Sequence, residues 1–210
     1  KIDAISGDER LATLAGLANR HGHSVANAIA GARTVPATPT LGTSILSFDG
    51  LVAATVGWSE KALRAAGRPV RVIHTHPADH AAYYPGAQTM RFKLMVDPET
   101  DLILGAQAVG GHGVDKRIDV ISTAIFAGIT ASDLAQLELA YDPQHGYAKD
   151  PINMLGYVNR NIAEGLTKVI EWHELDSALD SGAVLVDVRT EGEYKYGHIE
   201  GSLNFPLDVL

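Results

Sequence analysis

The chain has 210 residues, 17 Lys+Arg against 25 Asp+Glu, a net charge of −8, and 46% apolar and 20% charged residues. That composition is globular and sized for one large domain or two smaller ones, and its acidic balance argues against a nucleic-acid partner. The absence of cysteine excludes a disulfide framework, a thiolate zinc site and thiol chemistry from these residues.

Residues 12–31 predict a helix: Leu14, Leu17, Ala18, Val25, Ala26 and Ile29 recur at roughly helical spacing, and Gly31 supplies a left-handed stop. Residues 34–40 read as a linker held extended by Pro36 and Pro39. Strands are expected at 43–48 and 51–56 around Asp49-Gly50, a dipeptide suited to a tight hairpin turn. Ser59 caps a short helix that runs through Ala66. Further strands are expected at 70–76, 89–96 and 102–109, the last two joined by the turn residues Asp97–Asp101. Asp115 or a neighbour caps a helix at 116–127 with a face of Ile118, Ile121, Ala124 and Ile125, and Thr130 caps a shorter one at 132–137. Residues 141–147 form a loop, and Asp150 caps a helix at 152–164 that Pro151 opens. Beyond residue 172 come a helix at 174–180, a solid apolar strand at 183–188 and a helix at 191–196, the pattern of an opening parallel α/β domain. The fold class is therefore α+β, an antiparallel sheet of about five strands with flanking helices, followed by a truncated α/β segment. No apolar run reaches the roughly 20 residues of a bilayer span and no signal-peptide core is present, so no membrane partner and a cytoplasmic location are expected. The chain does not begin with Met, and both ends look cut, as in a fragment.

The densest cluster of chemical groups is His74-Thr-His76-Pro-Ala-Asp-His80. Two histidines two apart on a strand face one side, a geometry for clamping a metal such as zinc. The run resembles the metallo-β-lactamase motif, with an extra residue before Asp79, and the His-x-His-Pro of JAMM deubiquitinases, whose downstream Ser and Asp have no match here. Locally hydrogen-bonded sheet and loop histidines are the plainer reading. His21-Gly-His23 reads as a surface pair, and Gly110-Gly-His-Gly113 as a strand-to-helix turn. Tyr83-Tyr84-Pro-Gly follows the histidines and Tyr141 opens a second proline-containing loop. Phenols in such loops can donate to a developing anion or orient a thiol substrate, and Lys149 is a point charge suited to phosphate.

Leu14-Ala-Gly-Leu-Ala-Asn-Arg20, His80-Ala-Ala-Tyr-Tyr-Pro-Gly86, Leu104-Gly-Ala-Gln-Ala-Val109, Gly113-Val-Asp-Lys-Arg-Ile-Asp119, Glu138-Leu-Ala-Tyr141 and Ala148-Lys-Asp-Pro-Ile-Asn153 occur in this order. Together they resemble the C-terminal region of the FAD-dependent pyridine nucleotide-disulfide oxidoreductases, in the branch of coenzyme A-disulfide reductases, NADH oxidases and persulfide reductases. Leu185-Val-Asp-Val-Arg189 and Gly197-His-Ile-Glu-Gly-Ser-Leu-Asn-Phe-Pro206 resemble the first half of a rhodanese domain. The resemblance implies a remnant of an FAD-binding domain at 1–33, a dimerisation domain at 34–164, a linker at 165–172 and a rhodanese-like half at 173–210. In this branch two tyrosines reach across the homodimer to the partner's active site, and Tyr83 and Tyr141 match them, so both are expected to be catalytic in trans. It further implies that Leu14, Ala15, Asn19 and His145 lie at the FAD edge and that Lys149 contacts substrate. The parent would use FAD and NAD(P)H to reduce coenzyme A disulfide, a persulfide or another small thiol compound. The family's Gly-rich nucleotide fingerprints, ribityl-binding Asp and redox Cys have no counterpart in these residues, so this chain alone is expected to be inactive and to hold no cofactor. The family loop Ala-Tyr-Ala-Pro-Pro-Phe-Ser-Ser-Ala-Lys-Asp-Pro is here Ala140-Tyr-Asp-Pro-Gln-His-Gly-Tyr-Ala-Lys-Asp-Pro151, which places Asp142 and His145 where the family is apolar or aromatic. Two alternatives remain beside the reductase: a zinc-dependent metallohydrolase built on His74, His76, Asp79 and His80, and a dimeric interaction module without catalysis.

Overall fold

Asp49 and Gly50 both take positive φ, 48° and 77°. That is the backbone a two-residue hairpin turn needs to match the twist of its strands. They join β1 (Ser44–Phe48) to β2 (Leu51–Gly57) in the computed structural model, which describes residues 1–35 and 38–209. Pro36 of the expected linker lies outside the described residues. The other strands are β3 (Arg71–Thr75), β4 (Arg91–Val96) and β5 (Ile103–Gly110). The sheet runs β1-β2-β5-β4-β3, antiparallel throughout, so β5 is central and pairs with both β2 and β4. Gly57 and Gly105 face each other in register. A side chain on Gly105 would run into the backbone of Trp58, which folds back over the strand and donates its amide to the Leu104 carbonyl at 3.0 Å.

Alternation along the strands directs one face inward. Ala54, Val56, Ile73, Phe92, Leu94, Ala106 and Ala108 form a buried cluster with Val114, Ile118, Ile121, Ile152 and Leu155. The last five belong to α3 (Val114–Ala127) and α4 (Pro151–Ala163), which with α1 (Ala15–Ile29) and α2 (Glu60–Ala65) complete the helices of this unit. Ser59 accepts the Ala62 amide at the start of α2. Asp150 and Asn153 form a reciprocal capping box ahead of α4, and Pro151 occupies the first helical position, where no amide donor is needed. One expectation is corrected. α3 starts at Val114, and its cap is Gly113 at φ 71°, a left-handed backbone that glycine takes without strain. Asp115 falls inside the first turn, where its charge suits the helix dipole. The short helix expected at 132–137 is a 3₁₀ helix over Ser132–Gln136, and Thr130 accepts the Asp133 amide at its start.

The chain divides into a unit of Lys1–Leu166 and a second of Thr167–Leu210. The second holds α5 (Leu175–Asp180), β6 (Val186–Asp187), α6 (Glu191–Tyr196) and β7 (Leu203–Asn204), with β6 and β7 parallel. The expected apolar strand at 183–188 shrinks to two residues, because its only pairing among the described residues is the equally short β7. Val184, Val186 and Val188 stay exposed. Among the described residues no helix is long and apolar enough to cross a membrane.

Candidate functional site

The loop between β3 and β4 is folded by one carboxylate. Asp79 Oδ1 accepts the amides of His80 and Gln88 at 3.0 and 2.8 Å, and the Asp79 amide returns to the Gln88 carbonyl at 2.9 Å. These bonds bring the two ends of a ten-residue excursion together, with Tyr83 beyond them in solvent, 76% exposed. His80 Nδ1 pairs with Asp79 Oδ1 at 3.0 Å, its ring meets Tyr84 edge-on, and its buried Nε2 has no hydrogen-bond partner.

A second carboxylate folds the loop that leads into α4. Asp142 Oδ1 accepts the Gln144 amide, its carbonyl accepts the amides of His145 and Gly146, and Oδ2 pairs with His145 Nδ1 at 2.8 Å. The His145 bond, then the backbone amides, lower the Asp142 pKa.

Both loops are tied to one buried guanidinium. Arg117 is 2% exposed, bonds Asp150 through Nη2 at 3.0 Å and Nε at 3.4 Å, and donates to the Asp79 carbonyl at 2.9 Å and the Gly113 carbonyl at 3.2 Å. A buried charge survives only when its donors are used, and here each of the three nitrogens has a partner. Sequence reasoning missed this residue. Its signal was present: Arg117 follows Val114 by three and precedes Ile121 by four, a position on the apolar stripe of α3.

With both loops fixed, Tyr83 and Tyr141 meet. Their hydroxyls lie 3.4 Å apart, the long end of a hydrogen bond. That contact with Tyr83, followed by partial desolvation and the neighbouring Tyr83, Asp142 and Tyr147 charges, raises the Tyr141 pKa above its ordinary 10.0. The phenol is therefore a protonated donor at neutral pH. Tyr147 lies beside the pair, its phenol oxygen accepting the Ala82 amide at 2.6 Å.

The remaining expected residues fall elsewhere. Lys149 Nζ sits 5.0 Å over the ring of Tyr157, a cation–π geometry on the flank of α4. Leu14 caps α1 and lines a cleft of about 760 Å³ with Leu17, Thr40, Ser122 and Phe126. Ala15 opens the same helix, and Asn19 lines a second cleft of about 550 Å³ with His23 and Phe126. His145 lines neither of these two clefts. Of the histidines, His74 is exposed on β3 opposite Lys93, and His76 lies past the end of that strand. Among the described residues no three His, Asp or Glu side chains gather where they could hold a metal ion.

Residues 43–149, half of the chain, match the family of pyridine nucleotide-disulphide oxidoreductase dimerisation domains. The chain belongs to that family. Residues 171–209 match the rhodanese-like domain. Over 140 residues the chain is 38% identical to the coenzyme A disulfide reductase of Staphylococcus aureus (strain bovine RF122 / ET3-1), covering 67% of this chain and 32% of that relative. Among solved structures it is similar to reduced Bacillus anthracis CoADR-RHD, at TM-score 0.93 and 43% identity over 98% of this chain and 37% of that one. It is also similar to a NAD-dependent persulfide reductase from A. fulgidus, at TM-score 0.89 and 34% identity over 99% of this chain and 37% of that one. The chain thus spans about a third of the length of the curated relatives it matches. The five-stranded antiparallel sheet with its helices is the dimerisation domain, and a partial rhodanese-like segment follows it.

Proposed function

We propose that this chain is the C-terminal part of an FAD-dependent, NAD(P)H-using reductase of coenzyme A disulfide, a persulfide or a related small thiol compound. It would supply Tyr83 and Tyr141 to the active site of a second copy. The observation that carries this reading is the meeting of two phenol hydroxyls, brought 3.4 Å apart from loops far apart in sequence. Reduction of a disulfide expels a thiolate, and a thiolate leaves faster when its charge is stabilised. Two phenol hydroxyls supply hydrogen bonds without competing as nucleophiles, and their exposure lets them reach beyond their own subunit.

A second copy also answers a packing demand. Leu46, Phe48 and Leu51 are exposed apolar side chains on one face at the β1 edge of the sheet, and a two-fold contact would remove them from water and make the exchange of tyrosines reciprocal. When bound, the flavin supplies transfer of an electron pair between nicotinamide and disulfide. Of this chain's residues, Leu14 and Ala15 fit its edge, because no side chain caps the first-turn amides of α1. His145, on a separate loop, fits only as a contribution from the other copy, and Lys149 would take a phosphate of the substrate.

The test is turnover by the full-length protein. Tyr83→Phe and Tyr141→Phe should each lower kcat for coenzyme A disulfide by roughly 10²-fold, the scale of a lost transition-state hydrogen bond, while reduction of the flavin by NAD(P)H stays unchanged. Full turnover in the double Phe variant would overturn the tyrosine assignment. A monomeric chain carrying zinc in native mass spectrometry would overturn the reductase reading.

A further inference from the structure

Tyr83 and Tyr141 sit on different loops, so their spacing depends on what joins those loops at the tip. Asp79 and Arg117 fix only the base of the first loop, at residues 79 and 88. Tyr83 stands outside that closure. Between the base and Tyr83 the one hydrogen bond among the described residues that crosses to the second loop runs from the Ala82 amide to the Tyr147 phenol oxygen, at 2.6 Å, shorter than the usual 2.9 Å of an amide donor. Ala82 directly precedes Tyr83. Tyr147 is half-buried and lies three residues before Asp150, whose side chain caps α4 and pairs with Arg117. The second loop thus has a firm post on which the tip of the first can be hung.

We infer that Tyr147 is a positioning residue: its phenol oxygen holds the Ala82 amide and so sets the Tyr83 hydroxyl against that of Tyr141. The inference rests on the proposed function for its catalytic meaning, though not for its geometry. A phenol suits the task. It accepts the amide with a lone pair, keeps its own hydrogen for solvent or substrate, and is long and stiff enough to span two loops that backbone alone does not bridge. Tyr147 also adds, as the smallest of several causes, to the upward shift of the Tyr141 pKa.

The experiment is NMR on the intact 210-residue chain, comparing it with Tyr147→Phe, which keeps the ring and removes the acceptor. The variant should speed exchange of the Ala82 amide about tenfold, the loss of one hydrogen bond. It should also abolish ring-to-ring contacts between Tyr83 and Tyr141 and bring the Tyr141 titration down towards the ordinary phenol value. Amides of α4 should keep their protection. Persistence of the Tyr83–Tyr141 contacts in Tyr147→Phe would overturn the proposal. So would an Ala82 amide that already exchanges at the open-chain rate in the unaltered protein, a reading that needs no variant to fold. Tyr83→Phe separates the two claims. It should lessen the upward shift of Tyr141 but leave Ala82 protected. Normal turnover in full-length Tyr83→Phe, with Ala82 protection lost in Tyr147→Phe, would sink the catalytic reading and leave the positioning role standing.

Discussion

Leu94 and Val186 both sit in strands among aliphatic neighbours, yet Leu94 is fully buried and Val186 is 43% exposed. β4 has a hydrogen-bonded strand on each side and two helices across one face, while β6 has a single two-residue partner. Throughout the second unit no apolar side chain among the described residues is buried, and its order comes from local polar contacts. Thr190 and Glu193 cap α6 reciprocally, Arg189 pairs with Asp187, and Asn204 bonds the carbonyls of Asp187 and Arg189. Apolar residues in a strand make a core only when a second layer covers them. Without that layer the same residue types leave a hydrogen-bonded frame with little to resist opening.

The contrast can be broken hardest at the buried Arg117–Asp150 pair of the first unit. Arg117→Met should cost that unit about 3–5 kcal/mol, because Asp150 is left charged and unpaired in the interior. Its denaturant midpoint should fall accordingly, with amide exchange in 167–209 unaffected. Next in size is a matched pair of truncations. Leu94→Ala should cost about 2–5 kcal/mol, whereas Val186→Ala should stay within about 0.5 kcal/mol. Equal costs would mean the second unit has a core after all.

The smallest effect is the acid sensitivity that Asp101 gives the first unit. Burial would raise the Asp101 pKa, but bonds from Ser132, Asn159 and Arg71 outweigh it and leave the carboxyl below its ordinary 3.8. A depressed carboxylate stabilises the fold above its unfolded pKa, and that contribution is lost as the pH falls through the folded value. Urea midpoints taken from about pH 6 down to about pH 2.5 should decline at the acid end, and Asp101→Asn should flatten the decline.

Much of this was legible from residue order. The five strands stand as apolar, β-branched-rich runs between turn residues, Asp49-Gly50 announces its turn, and Ser59 and Asp150 precede helices as acceptors that amides need. What escaped were facts set by three-dimensional neighbours. The 74–80 histidines suggested a metal clamp because a strand places alternate residues on one side. β3 stops at Thr75, just ahead of Pro77, which has no amide to donate to a ladder. Asp79 then spends its carboxylate on closing a loop. Arg117 was hidden because a charge on an apolar stripe reads as an exception until its three acceptors are seen. The meeting of Tyr83 and Tyr141 came from family resemblance alone, since spacing along the chain says nothing about two loops folding to one point. Tyr147, two residues beyond His145 in the same loop, carried no signal until Ala82 was found against it.

The strand order carries a consequence for how the sheet is built. β5 is the last of the five strands to be synthesised and the one at the centre, with Val52 and Arg91 of its two neighbours paired to its final residues, Gly110 and Val109. On a ribosome β2 and β4 wait with open edges until Ile103–Gly110 emerges; β5 then folds back on β4 across the Asp97–Asp101 turn and presents its other edge to β2, far earlier in the chain. The β4–β5 ladder can grow as a local hairpin, so assembly of the whole sheet is gated by the one non-local pairing, that of β5 with β2. In the interval before it, the exposed edges are most open to a wrong partner.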